Sequence, residues 1–245
     1  MTVIEDLTLR NKLHIFKDRK HAGYALSKFL EEKLKEKENL IVLAIPRGGV
    51  PIGYILAKEL RAEFDLIVVR KIPVPWNPEA GFGAITPDGE IFLDDEVVVK
   101  YLGLKTEEVK NLAKKVLEEI KRREKLFLGN RERVDVTNKN VVLVDDGLAT
   151  GFTMLAAVKF LKDKPRKIMV AVPTASRRAV LLLTKHVHAI YCLNIRSELP
   201  YFAVADAYVN WRDLTDDDVI QYLKNIITFN CHTKHKFTYL QPYYP

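Results

Sequence analysis

Short apolar runs alternate along this chain with longer stretches in which apolar residues recur every three or four positions. Residues 40–45, 65–69, 141–144, 168–172 and 187–191 are rich in Val, Ile and Leu and mostly apolar on both faces, as parallel strands covered by helices on each side must be. Helical spacing fills most of the intervals, at 50–60, 153–161 and 176–184. This alternation predicts βαβ units, and so an α/β fold with an open, mainly parallel sheet flanked by helices.

The interval from 70 to 141 is too long for one crossover and predicts an insertion. Residues 81–86 and 90–93 flank Pro87-Asp88-Gly89, a turn signal that predicts a β-hairpin. A helix is expected next: Thr106 suits the N-cap, Glu107 and Glu108 suit the positive end of the helix dipole, and Val109, Leu112, Ala113, Val116, Leu117 and Ile120 keep helical spacing. Over 245 residues the expected organisation is a single domain, with a core at about 40–195 and a hairpin or hood at about 71–100. Segments at about 1–39 and 196–230 are expected to lie outside the core as a small cap, before a tail at 231–245.

Composition narrows the class. With 48% hydrophobic and 29% charged residues, the chain is neither disordered nor fibrous. No apolar run approaches the roughly 18 residues of a membrane-spanning helix, and the opening MTVIEDLTLRNK carries acids where a secretory leader is basic. A cytoplasmic protein without a membrane partner is expected. Cys192 and Cys231 have no CxxC spacing and give neither a disulfide framework nor a zinc knuckle. The net charge of +7 favours anionic partners. KLKEKE at 33–38 and KRREK at 121–125 mix signs and read as solvated helix faces, which argues for a phosphorylated small molecule over nucleic acid.

The densest candidate chemistry lies in VVLVDDGLATGFT at 141–153: an apolar strand, two adjacent carboxylates, a small-residue turn, then a helix. Asp145 and Asp146 emerge at the carboxyl edge of the sheet, where open α/β folds bind ligands, and paired carboxylates accept hydrogen bonds from a vicinal diol. Ala149, Thr150, Gly151, Phe152 and Thr153 then offer backbone N–H groups at a helix N-terminus, with hydroxyls from Thr150 and Thr153, as a phosphate cradle. A diol acceptor beside a phosphate cradle suits a ribose 5-phosphate.

These residues resemble the phosphoribosyl pyrophosphate (PRPP) signature of the type I phosphoribosyltransferases. The resemblance implies that Asp145, Asp146 and Gly147 belong to the ribose-binding turn and 149–153 to the 5-phosphate loop. Phe152 stands where a small residue is often found, and is expected to face outward. Ala44-Ile45-Pro46-Arg47-Gly48-Gly49-Val50 resembles the family's pyrophosphate loop, often built on a strained or cis peptide, with Arg47 supplying charge and Gly48 and Gly49 letting a diphosphate approach. Arg70 and Lys71 match a basic pair that contacts the diphosphate. Pro73, Pro75 and Pro78 then predict an extended loop opening the hood, where Glu79 either orients a basic residue or reaches magnesium through water.

From Phe16-Lys17-Asp18-Arg19 through Val219 the chain is similar to a subgroup of phosphoribosyltransferases with undefined acceptors. The expected activity is transfer of a 5-phosphoribosyl group from PRPP to a nitrogenous acceptor, a nucleobase or related heterocycle, with release of diphosphate. Arg47, Lys71, Asp145 and Asp146 are the expected catalytic residues, and Mg2+ the cofactor, held through the diphosphate and Asp145/Asp146 without a dedicated protein cage. Phe202, Tyr208 and Trp211 pack in the cap or stack on the acceptor. A homodimer is left open, dimers being common in the family. Two other readings compete: a PRPP-responsive regulator that binds nucleic acid, and a phosphohydrolase or lyase acting on phosphorylated ribosides.

Other polar clusters have simpler readings. Asp94-Asp95-Glu96 reads as a hairpin exit, Cys231, His232 and His235 as an incidental tail, and His186 and His188 as strand-flanking residues without a carboxylate partner. Thr215-Asp216-Asp217-Asp218 reads as a helix cap.

Overall fold

The computed structural model describes residues 2–93, 102–130, 132–199 and 201–232, with the backbone alone for 78–80 and 226–232. In chain order the elements are β1 (Thr2–Glu5), α1 (Arg19–Lys33), β2 (Leu40–Ala44), α2 (Gly49–Leu60), β3 (Glu63–Leu66), β4 (Arg70–Val74), β5 (Asn77–Ile85), β6 (Ile91–Leu93), α3 (Thr106–Leu128), β7 (Asn140–Val144), α4 (Phe152–Leu161), β8 (Lys167–Ser176), α5 (Arg177–Thr184), β9 (Ala189–Arg196) and α6 (Asp216–His232). A 3-10 turn at Val204–Ala207 precedes α6.

The main sheet has the order β1-β9-β8-β7-β2-β3, and every pairing in it is parallel. From β2 the chain moves outward to β3, then returns to the other side of β2 as β7 and continues to β8 and β9. The winding direction therefore reverses between β2 and β7, which leaves a crevice outside their carboxyl ends. Alternate residues of β2 feed opposite layers: Leu40, Val42 and Ala44 face the cluster with α1, α2, α3 and α6, while Ile41 and Leu43 face that with α4 and α5. Among the described residues no helix is long and apolar enough to cross a membrane.

Several expectations need correction. Thr2–Glu5 is not outside the core: it is an edge strand of the main sheet, parallel to β9. β8 and β9 run past their apolar runs, because Thr174 and Ser176 keep the ladder register with Asn194 and Arg196. The insertion holds three antiparallel strands, β4-β5-β6, and not a single hairpin. Its proline-rich start is strand-turn-strand instead of an extended loop, with the β4–β5 register shifting at Pro73, where the missing N–H interrupts the ladder. Thr106 is the first residue of α3, not its cap; Lys105 holds that place, its N–H donating to Glu108 Oε2 at 2.8 Å. Asp94-Asp95-Glu96 and His235 lie outside the described residues, as do the side chains of Glu79, Cys231 and His232. Cys192 is buried and free.

Candidate functional site

The carboxyl ends of β2 and β7 lie side by side, and the turns that follow them interlock. Ala44 is opposite Val144, and Ile45 N donates to the Val144 carbonyl at 2.9 Å. The turn after β2 has a cis peptide between Pro46 and Arg47. Gly48 and Gly49 are required by close approach. A Cβ on Gly48 would lie 2.0 Å from Asp146 Oδ2, and one on Gly49 would lie 2.5 Å from the Val144 carbonyl oxygen. Gly48→Ala is expected to displace the Asp146 carboxylate and lower stability by about 1–3 kcal/mol. A urea midpoint equal to wild type would contradict this contact.

Asp145 and Asp146 begin the turn after β7, at the edge of burial. Asp146 Oδ2 accepts a 2.8 Å hydrogen bond from Arg19 Nε, and its carbonyl accepts one from the Tyr208 hydroxyl at 2.6 Å. Asp146 N–H donates to Asp145 Oδ1 at 2.8 Å. Burial and the neighbouring Asp146 charge push the Asp145 carboxyl well above the ordinary carboxylate range. Burial also raises Asp146, with the Arg19 guanidinium opposing it. Both carboxylates therefore gain from a hydrogen-bond donor or a cation placed before them.

The turn from Leu148 to Gly151 is pinned to the extended end of β8. Leu148 N donates to the Thr174 carbonyl at 3.0 Å, Ser176 N to the Leu148 carbonyl at 2.8 Å, and Ser176 Oγ to the Ala149 carbonyl at 2.6 Å. Ser176 also caps α5, accepting from Ala179 N at 3.0 Å. Gly151 opens α4 at φ +82°, a left-handed conformation that favours glycine, and Ala149 and Thr150 are exposed in front of it. This arrangement presents a helix N-terminus to the crevice. Phe152 does not face outward: it is partly buried against the α4–α5 side of the core. Gly147 fits beneath Val204 and beside Thr174.

The remaining candidates separate. Arg47 points to Asp216 at the start of α6, 3.5 Å away, and Arg70 to Glu119 of α3, 3.1 Å away. Lys71 sits on β4 opposite Ala84. Phe202 lies under the Arg196 guanidinium, 5.0 Å from its ring centre. Tyr208 is buried between Phe16 and Trp211, so it packs and cannot stack on a ligand. Trp211 is 37% exposed; Arg19 lies over its ring at 3.8 Å, and the two line a cavity of about 480 Å3 with Pro51, Leu214 and Tyr222. His188 Nδ1 accepts from Ile168 N at 3.1 Å, a structural bond. Among the described residues no three His, Cys, Asp or Glu side chains gather to hold a metal.

Two groups escaped the sequence reading as parts of the site. Arg19 follows Asp18, the N-cap of α1, so a cation occupies a first helical turn where the dipole disfavours it, a signal that it serves a distant partner. KRREK is solvated at Lys121, Arg122 and Lys125 but not at Arg123. In α3 the buried stripe Val109, Ala113, Val116, Ile120 and Phe127 includes Arg123 at a position where an apolar residue is expected.

A sequence profile described as the phosphoribosyl transferase domain matches residues 15–204. The chain belongs to the phosphoribosyl transferase family. Two Mycobacterium tuberculosis proteins, MT0597 and Rv0571c, named as provisional phosphoribosyl transferases, are each 36% identical over 212 residues. The alignments cover 86% of this chain and 47% of each relative, so the chain spans about half the length of these curated relatives. The crystal structure of TT1426 from Thermus thermophilus is similar at a TM-score of 0.67 and 32% identity, covering 86% of this chain and 98% of that one. The family's type I α/β architecture is the one described above: a parallel sheet flanked by helices, with the turns after β2 and β7 side by side at the crevice.

Proposed function

We propose that the crevice binds PRPP and that the chain transfers its 5-phosphoribosyl group to a nitrogenous acceptor with release of diphosphate. One observation carries this reading. The paired carboxylates, the exposed turn before α4 and the Arg47-Gly48-Gly49 turn meet at the reversal point of the sheet, with Gly48 against Asp146. Asp145 and Asp146 accept from the ribose 2- and 3-hydroxyls, the N–H groups at the start of α4 take the 5-phosphate, and Arg47 faces the diphosphate.

In the transfer the bond from the anomeric carbon to the diphosphate oxygen breaks, a bond to the acceptor nitrogen forms, and that nitrogen loses a proton. The transition state resembles an oxocarbenium ion, so the task of the protein is electrostatic: Arg47 and Lys71 offset charge gathering on the departing diphosphate. The two carboxylates fit Mg2+, a hard cation that seeks oxygen, because burial penalises the ionised form of both and the Asp146 charge adds to that penalty at Asp145. When bound, Mg2+ would neutralise part of the diphosphate charge. Of the three aromatic candidates, Trp211 is retained for the acceptor, since it lines an open cavity beside Arg19 and Asp146.

Calorimetric titration with PRPP and Mg2+ tests the reading, with Asp146→Asn as control. Micromolar binding that the variant loses, followed by acceptor-dependent diphosphate release, is the expected result. Failure of the folded wild-type protein to bind PRPP would overturn it, and turnover without acceptor would replace transfer by hydrolysis.

A further inference from the structure

Beside the donor crevice four arginines from three parts of the chain converge on two carboxylates. Arg47 follows β2, Arg70 opens β4, and Arg122 and Arg123 lie in α3. Glu119 Oε1 is 3.1 Å from Arg70 Nη1 and 3.0 Å from Arg123 Nε, while Arg122 Nε donates to Glu119 Oε2 at 2.7 Å. Asp216 accepts from Arg122 Nη2 at 2.8 Å and lies 3.5 Å from Arg47 and 3.7 Å from Arg123. Four guanidiniums against two carboxylates leave two positive charges in excess within this group.

The pairing is unequal, and part of it is charge contact without hydrogen-bond geometry. Arg123 is 9% exposed, with its Nε 3.0 Å from Glu119 Oε1 but not aligned to donate, and Asp216 Oδ1 is likewise buried with only its charge contacts to Arg47 and Arg123. Arg123, the one buried guanidinium of the four, is costly to keep charged without sufficient opposite charge, while Arg47, Arg70 and Arg122 are one-third to one-half exposed and keep edges open to an incoming anion. Burial and the other guanidiniums lower the Arg70 and Arg123 pKa values from the ordinary arginine range, Arg47 acting on both. Glu119, by contrast, is held down to about 2, chiefly by its bond from Arg122. The group is thus short of negative charge. Planar guanidinium forks favour phosphate oxygens, and Arg47 joins the cluster directly to the Gly48–Asp146 contact of the crevice.

We propose that Arg122 and Arg123 complete, with Arg47 and Arg70, a condensed-phosphate site that receives the diphosphate end of the donor. Asp216, already placed among these arginines, competes with that anion for them. This rests on the reading of the crevice as a PRPP site. It also gives Asp216 a role apart from capping: Asp218 accepts from Thr215 N and Oγ1 at the start of α6, whereas Asp216 turns to the arginines.

The test uses the full chain, Arg122→Gln and Asp216→Asn, each first shown to be folded by its melting curve. Inorganic diphosphate with Mg2+, PRPP with Mg2+, and ribose 5-phosphate are titrated at constant ionic strength. Arg122→Gln is expected to weaken diphosphate and PRPP about tenfold, and Asp216→Asn to tighten both about fivefold, with ribose 5-phosphate moving less than about twofold. Diphosphate affinities within about twofold of wild type in both variants would overturn the inference. So would weaker binding by Asp216→Asn, or no binding of diphosphate by wild type. The crevice reading fails separately, if wild type binds neither PRPP nor ribose 5-phosphate in a manner that depends on Asp146.

Discussion

Asp145→Asn is expected to lose PRPP affinity about a hundredfold and yet to melt about 2 °C higher than wild type at pH 7. The loss follows from removing a carboxyl that ionises once a diol and a cation come before it, since hydrogen bonds to charged groups contribute about 1.5–3 kcal/mol each. The gain follows from burial. The Asp145 carboxyl is pushed well above its ordinary value of 3.8 by burial and by the charge of Asp146. The folded state therefore holds a proton that the unfolded chain releases, and wild-type stability falls as pH rises from about 4 through the raised folded value. Asn carries no such penalty, and about 1 kcal/mol corresponds to about 2–4 °C in a chain of this length. The difference in melting temperature should vanish near pH 4 and grow toward pH 7. Scans across that range check it; a variant less stable at pH 7, or equally shifted at both ends, would contradict the assignment.

Arg19→Ala is expected to destabilise the fold by about 3–5 kcal/mol, the usual effect of stripping one partner from a buried charge pair. Arg19 Nε holds Asp146, Arg19 Nη1 donates to the Arg212 carbonyl at 2.8 Å, and the guanidinium covers Trp211. Without it the Asp146 carboxylate keeps its burial but loses the group that opposes its raised pKa. The loss should therefore be larger at pH 8 than at pH 5. Lys offers a compact charge in place of a fork that spans two acceptors and stacks on an indole, so Arg19→Lys should recover only part of the stability. Combining Arg19→Ala with Asp146→Asn should restore most of what Arg19→Ala removes, because no charge is then left unpaired. Additive losses in that double-mutant cycle would show that Arg19 acts through packing alone.

Both effects depend on contacts that differ greatly in legibility. The turns at 46–49 and 145–153 are local, and their chemistry depends on backbone amides, small residues and adjacent carboxylates, so it is spelled in consecutive positions. The parallel sheet was equally legible, because strands covered on both faces are continuous apolar runs. Strand β1 was not: Thr2–Glu5 is a short, half-exposed edge strand with an acid at its end, and nothing local distinguishes it from a terminal tail. Its place depends on β9, which lies far along the chain.

The α/β alternation, the turns at 46–49 and 145–153 and the charge pattern of each helix are properties of neighbouring residues and were legible along the chain. Which charges meet is a matter of long-range packing. Arg19 and Asp146 are 127 positions apart, and Asp216 reaches Arg47 and Arg122 from the far end of the chain. In α3, KRREK looks solvated because its charges mix along the sequence, but burial selects by direction: Arg123 falls on the buried stripe and Arg122 beside it. A linear pattern records charge and period. Which side chain is desolvated, and which carboxylate shares its enclosure, follows from the packing of α3 against β4 and of α6 against α2 and α3.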